Sequence, residues 1–146
     1  MISRKVRSIT VCTSASFYRQ SWGIKERLEK QGFRVYMPHT SKVMHRTGNY
    51  RVSHYKVWYK DKNLFKRKAL LMTRHFGEIE KGDAILVVNL NKKGSRGYIG
   101  GNVLMEMASA FYLKKPIYIW RAIEDSQPFY EEILGMEPIF LNEKVE

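Results

Sequence analysis

The stretch Gly97-Tyr98-Ile99-Gly100-Gly101-Asn102-Val103-Leu104-Met105-Glu106-Met107-Ala108 constrains this chain more than any other. Before it runs Ala84-Ile85-Leu86-Val87-Val88-Asn89, apolar enough to be a strand buried on both faces. After it an apolar pattern of helical spacing continues to Lys114-Lys115-Pro116. A glycine-rich loop leading from a buried strand into a helix lets a ligand approach the backbone and meet the free N–H groups of the helix start. Asn102 is placed to cap a helix over residues 103–113. Glu106 then falls in the first turn, where the positive end of the helix dipole favours an ionised carboxylate. Such a carboxylate, beside a glycine-lined pocket, is equipped to act as a nucleophile or to anchor a ligand.

The rest of the chain alternates between strand-like and helix-like segments. Ser8-Ile9-Thr10-Val11-Cys12 reads as a buried strand, and Phe17, Trp22, Ile24 and Leu28 mark a helix stopped by Gly32. Phe33-Arg34-Val35-Tyr36-Met37 is a second strand, closed by Pro38. Residues 38–62 are polar, basic and aromatic without clear periodicity, and read as a long loop or irregular insert, with or without a short helix. Leu64, Phe65, Lys68, Leu71, Met72, His75 and Ile79 recur at helical spacing up to Gly82. Strands follow at residues 84–89, 117–120 and 138–141, with a short helix at 128–134 ended by Gly135. This alternation predicts an α/β fold: one domain over residues 1–146, a five-stranded parallel sheet with helices on both faces, flavodoxin- or Rossmann-like. Ligands in that architecture lie outside the carboxyl ends of the strands. The loops after Cys12, Asn89 and Trp120 are therefore the expected binding edge, bringing Ser14, Asn89, Tyr98 and Glu106 together.

At 146 residues, 44% of them hydrophobic, the chain can build a full core without staples. A single cysteine, Cys12, forms no intrachain disulfide and reads as a buried thiol of a reduced, cytoplasmic protein. No apolar stretch approaches the length of a membrane span, and no apolar segment of a secretory signal follows Met1-Ile2-Ser3-Arg4-Lys5. The net charge of +12 is uneven: residues 42–74 hold ten Lys or Arg against one acid, Asp61. From Glu124 onward there are seven acids against Lys144. This asymmetry points to an anionic partner near the middle of the chain, or to a solvated basic surface. Tyr50, Tyr55, Trp58 and Tyr59, interleaved with Arg51, Lys56, Lys60 and Lys62, would suit single-stranded nucleic acid, or would pack the insert onto the core. His39, His45, His54 and His75 show no metal-ligand spacing, so no metal is expected, and no cofactor.

These segments in combination resemble the nucleoside 2-deoxyribosyltransferase superfamily over nearly the whole chain, most closely a branch of small, uncharacterised members. The marks are Ile9-Thr10-Val11-Cys12-Thr13-Ser14, where relatives usually carry Cys-Gly-Ser, and Gly82-Asp83 leading into the strand to Asn89. To these add Tyr98-Ile99-Gly100-Gly101-Asn102 through Glu106, Lys115-Pro116-Ile117, and Tyr130-Glu131-Glu132-Ile133-Leu134-Gly135-Met136. The resemblance implies cleavage or exchange of the N-glycosidic bond of a nucleoside or its monophosphate, with Glu106 at the position of the nucleophilic glutamate. It also implies an acidic residue eight positions before Asp83, where this chain carries His75. A histidine there could serve as general acid toward the leaving base, or be an ordinary helical residue.

Ser14, Asn89, Tyr98, Gly100, Gly101 and Asn102 would shape the substrate pocket. Asn89 would bond a sugar hydroxyl or base, or cap its loop; Asp83 would fix the turn into its strand. The expected partner is a nucleoside or nucleotide, phosphorylated because of the basic insert, within a homo-oligomer. The alternative is a nucleotide- or nucleic-acid-binding module on the same fold that has lost turnover.

Overall fold

The computed structural model describes residues 1–146. Five strands, β1 (Ser8–Thr13), β2 (Arg34–Tyr36), β3 (Ala84–Val88), β4 (Ile117–Ile119) and β5 (Ile139–Phe140), form one sheet in the order β2-β1-β3-β4-β5. Every neighbouring pair is parallel. The expected flavodoxin-like α/β architecture is what the chain adopts. Six helices connect the strands: α1 (Tyr18–Lys30), α2 (His39–Thr47), the single turn α3 (Val52–Tyr55), α4 (Phe65–Lys81), α5 (Gly101–Tyr112) and α6 (Tyr130–Gly135). No helix is long and apolar enough to cross a membrane.

The strands read as continuous apolar runs because both faces are covered. Alternate residues divide between two cores. Ile9, Val11, Ala84, Leu86, Val88 and Tyr118 pack with Ile24 and Leu28 of α1. Cys12, Ile85, Val87, Ile117 and Ile119 face the other way, toward Ile79 of α4, Val103, Met107 and Ala110 of α5, and Ile133 of α6. Hence α4 and α5 lie over the same sheet face as the side chain of Cys12.

Two local devices fix the chain path. Helix α1 ends where Gly32 takes φ +95°, with Gly32 N–H bonded to Glu29 O (2.9 Å) and Phe33 N–H to Leu28 O (3.2 Å); this paired arrangement satisfies the last carbonyls before β2. Asp83 Oδ2 accepts from the N–H groups of Arg7 (2.9 Å) and Ser8 (3.0 Å), and those bonds hold its carboxyl below the usual range. The turn-fixing role expected of Asp83 is thus visible: it ties the start of β3 to the start of β1.

The insert holds the short helix allowed for it and more helix besides. Residues 38–62 contain α2, α3 and a 3-10 turn at Val57–Tyr59. Helix α2 buries Ser41 and Met44 and stops at Gly48, φ +75°. Its amphipathic period was hidden because only nine residues carry it and most are polar. The insert's aromatics divide in their roles. Trp58 is buried, and Tyr55 bonds Asn49 O through its hydroxyl (2.6 Å), whereas Tyr59 is 76% exposed.

Candidate functional site

A cavity of about 370 Å³ opens where β1 and β3 end, at the switch in strand order. Thr13 at the end of β1 and Ser14 and Ala15 after it line it, with Lys92 and Tyr98 from the loop after β3, and Gly100 to Val103 from the cap and first turn of α5. Helix α4 contributes Lys68, Leu71, Met72 and His75, one stripe of side chains three and four residues apart. The insert closes the far wall with Val52, Tyr55, Lys56, Trp58 and Tyr59. The segment after Trp120, expected at this edge, takes no part in the lining.

Glu106 is the only acid lining the cavity, against three lysines, Lys56, Lys68 and Lys92. Its position corrects the first-turn expectation. Helix α5 starts at Gly101 with Gly100 as its cap, so Glu106 lies more than a turn inside, 6% exposed. Burial there outweighs the attraction of Lys68 and raises the carboxyl from 4.5 to about 8. The group is therefore protonated near neutrality rather than held ionised by the helix dipole. Asn102 is likewise not the helix cap. It lies inside the first turn, accepts from Lys68 Nζ at 2.9 Å and donates to Glu106 Oε2 at 3.4 Å. Lys68, Asn102 and Glu106 form one polar chain from the cavity wall to its floor.

His75 does meet Glu106, with Nε2 3.6 Å from Oε2. Burial lowers its pKa from 6.5 to about 4. The imidazole is therefore neutral at physiological pH, and the general-acid role needing an imidazolium is not available to it. With both groups neutral, the contact is not an ion pair. The same Nε2 lies 3.6 Å from Cys12 Sγ. Burial also pushes the Cys12 thiol well up, with Glu106 adding to the shift. Tyr18, another lining residue, has its phenol raised chiefly by burial and further by Glu106.

The other expected pocket residues divide. Ser14 lines the cavity and accepts a bond from Lys92 Nζ (3.3 Å), whose ammonium also sits 5.0 Å from the Tyr98 ring centroid. Tyr98, Gly100 and Gly101 are lining residues, as expected. Asn89 is not. Wholly buried, it donates to Arg121 O (2.9 Å) and Gly97 O (3.4 Å) and accepts from Arg121 N–H (2.8 Å). This asparagine clamps the end of β3 to the segment after β4 and to the glycine loop. Gly97 must be glycine there: φ is +64°, and a Cβ would strike the Ala122 carbonyl oxygen and Asn89 Nδ2.

Lys68, Lys92, Tyr18 and Cys12 were not expected at the site. A signal existed for Lys68, a cation within the apolar stripe of α4 and seven residues before His75. Lys92 and Tyr18 carry none, because their place depends on how the ends of β1 and β3 come together.

No protein-family model matches the chain, and no curated protein does. Among solved structures, it is similar to FerB, a flavoenzyme NAD(P)H:(acceptor) oxidoreductase from Paracoccus denitrificans, at 17% identity with a TM-score of 0.42. The match covers 79% of this chain and 60% of FerB, so the chain spans less than two thirds of that protein. A likeness of this depth says nothing about chemistry.

Proposed function

We propose that the chain cleaves or transfers the N-glycosidic bond of a nucleoside monophosphate, with Glu106 as nucleophile. One observation carries the reading: a lone buried carboxylate on the floor of a cavity whose walls supply three lysines and several aromatic rings. Aromatic faces such as Trp58 and Tyr98 suit a base, and Lys56, Lys68 and Lys92 suit a phosphate. In the reaction the ionised Glu106 attacks the anomeric carbon, and the carbon–nitrogen bond breaks with its electron pair leaving on the base. The base takes a proton from solvent, and water or a second base then resolves the glycosyl ester. Asn102 orients the carboxylate through Oε2, and neutral His75 excludes water from its side. The exposed Met105, Phe111 and Tyr112 of α5 offer apolar surface for a homo-oligomer.

The test is release of free base from a panel of ribo- and deoxyribonucleosides and their 5′-monophosphates, followed by chromatography. Wild type is expected to release base and Glu106→Gln to lose at least about 10⁴-fold in rate. Because the nucleophile must be ionised, kcat/KM should climb with pH and level off above about 8, where Glu106 gives up its proton. Lys92→Ala should raise KM about tenfold for a monophosphate, a loss of about 1.4 kcal/mol, and leave the matching nucleoside unaffected. Equal effects on both would remove the phosphate from the proposal.

A second reading, a binding module without turnover, is favoured by the neutral states of Glu106 and His75. Base release from no substrate, together with nucleic-acid binding that weakens steeply with salt, would establish it. A small nucleotide would give a much shallower salt dependence.

A further inference from the structure

Cys12, His75 and Glu106 come from β1, α4 and α5, yet Sγ, Nε2 and a carboxylate oxygen all lie within 4.8 Å of one another. The spacing along the chain gave no sign of this, because the sheet and two covering helices assemble the set from residues 63 and 31 positions apart. The cluster is buried throughout, and sulfur, imidazole and carboxylate meeting in one place is an uncommon composition for a core.

We infer that these three side chains form a binding site for a zinc(II) ion, with the fourth coordination position open to the cavity. Two of the three donor separations match the ion, and the third, Sγ to the carboxylate oxygen, lies within 4.8 Å. In tetrahedral zinc sites with these donors, bonds of about 2.0–2.3 Å place ligand atoms about 3.3–3.6 Å apart. Sγ to Nε2 is 3.6 Å, and Nε2 to Oε2 is 3.6 Å. A thiolate with an imidazole selects a borderline-soft ion such as zinc over magnesium or calcium, which take oxygen donors. His75 presents Nε2 to the ion, which places its remaining ring proton on Nδ1, a buried atom with no hydrogen-bond partner of its own. His75 and Glu106 both line the cavity, so an ion arrives from that side and ends against Cys12 beneath.

Binding is accompanied by loss of the Cys12 thiol proton and the Glu106 carboxyl proton to solvent, so affinity rises with pH. The ion would occupy Oε2 of Glu106, the carboxylate assigned above as nucleophile. Zinc occupancy and nucleophilic attack are thus alternatives, although the site itself stands without the glycosidic reading.

Cobalt(II) and zinc(II) titrations of untagged, chelator-treated protein test this without any substrate, so the outcome is independent of whether base is ever released. Cys12 is the only cysteine. A thiolate-to-cobalt charge-transfer band in the wild-type protein therefore reports Cys12 with no variant needed. One cobalt per chain is expected, with this band and the intense visible bands of a tetrahedral ion, all bleached by zinc. Cys12→Ser should abolish the charge-transfer band and weaken zinc by at least about 100-fold, beyond what outer-shell partners contribute. Glu106→Gln should weaken zinc while keeping the charge-transfer band. Absence of the band in folded wild type would overturn the site. So would zinc affinity unchanged in both variants, which would place the ion on surface histidines.

Discussion

Glu106→Gln is expected to make the metal-free protein more stable while removing the proposed base release. Burial lifts the Glu106 carboxyl from 4.5 to about 8 in the folded chain. The folded state therefore holds a proton that the unfolded state has already lost, and deprotonating conditions favour unfolding by about 1.4 kcal/mol per pH unit across that interval. Between 4.5 and pH 7 this amounts to about 3 kcal/mol, which glutamine avoids because it carries no charge to desolvate. Its amide oxygen still accepts from Asn102. In chelator-containing buffer at pH 7, the variant should melt roughly 6–12 °C higher. The gain should vanish below about pH 4.5, grow as pH rises, and level off above about 8. The lowered pKa of His75 costs stability in the opposite sense, as pH falls from 6.5 toward about 4, but it acts on both proteins and cancels in the difference. Paired thermal melts across pH 4 to 9 would measure this. A difference that does not change with pH would mean the carboxyl is not buried as described.

Asn89→Ala is expected to be among the most damaging single substitutions outside the apolar core. The change removes three hydrogen bonds and leaves the part-buried Arg121 N–H and carbonyl without a partner. Gln127 still donates to Gly97 O, so the stranded groups are chiefly those of Arg121. Unpaired buried backbone groups cost about 1–3 kcal/mol each, and for these two part-buried groups the loss in urea unfolding should be about 2–4 kcal/mol. Substrate KM, measured below the lowered melting temperature, should stay within about threefold of wild type. Near-normal stability combined with a much larger KM would restore Asn89 to the pocket.

The sheet was legible because parallel strands with both faces covered announce themselves as unbroken apolar runs. Ala84–Val88, buried at every position, is the clearest case. Tyr98, Gly100 and Gly101 were legible as cavity-lining residues because the loops at the carboxyl ends of such strands border the crevice there. Other features depended on relations that no window of sequence contains. Whether a carboxylate is ionised is decided by what packs around it, and Glu106 looked ionised from its helix position but is desolvated by α4 and β1. Asn89 at a strand end has the same composition whether it faces a ligand or a neighbouring loop. His75 stood in the apolar stripe of α4, which announced burial, but its two chemical neighbours come from other elements. The extent of helix in the insert was not legible because α2 has too few turns to show a period.

The central place of β1 has a consequence for how the chain is made. Its residues pair with β3 partners 75 positions later, Ile9 with Ala84 and Thr10 with Ile85. A nascent chain that has not yet reached Ala84 thus carries a hydrophobic strand with one bare edge, and an α4 whose Ile79 lacks Ile85 and Val87 to pack with. Such long-range closure makes folding slow and leaves partial products prone to edge-to-edge association. A premature stop before β3 would therefore yield material for degradation rather than a weakened version of the protein.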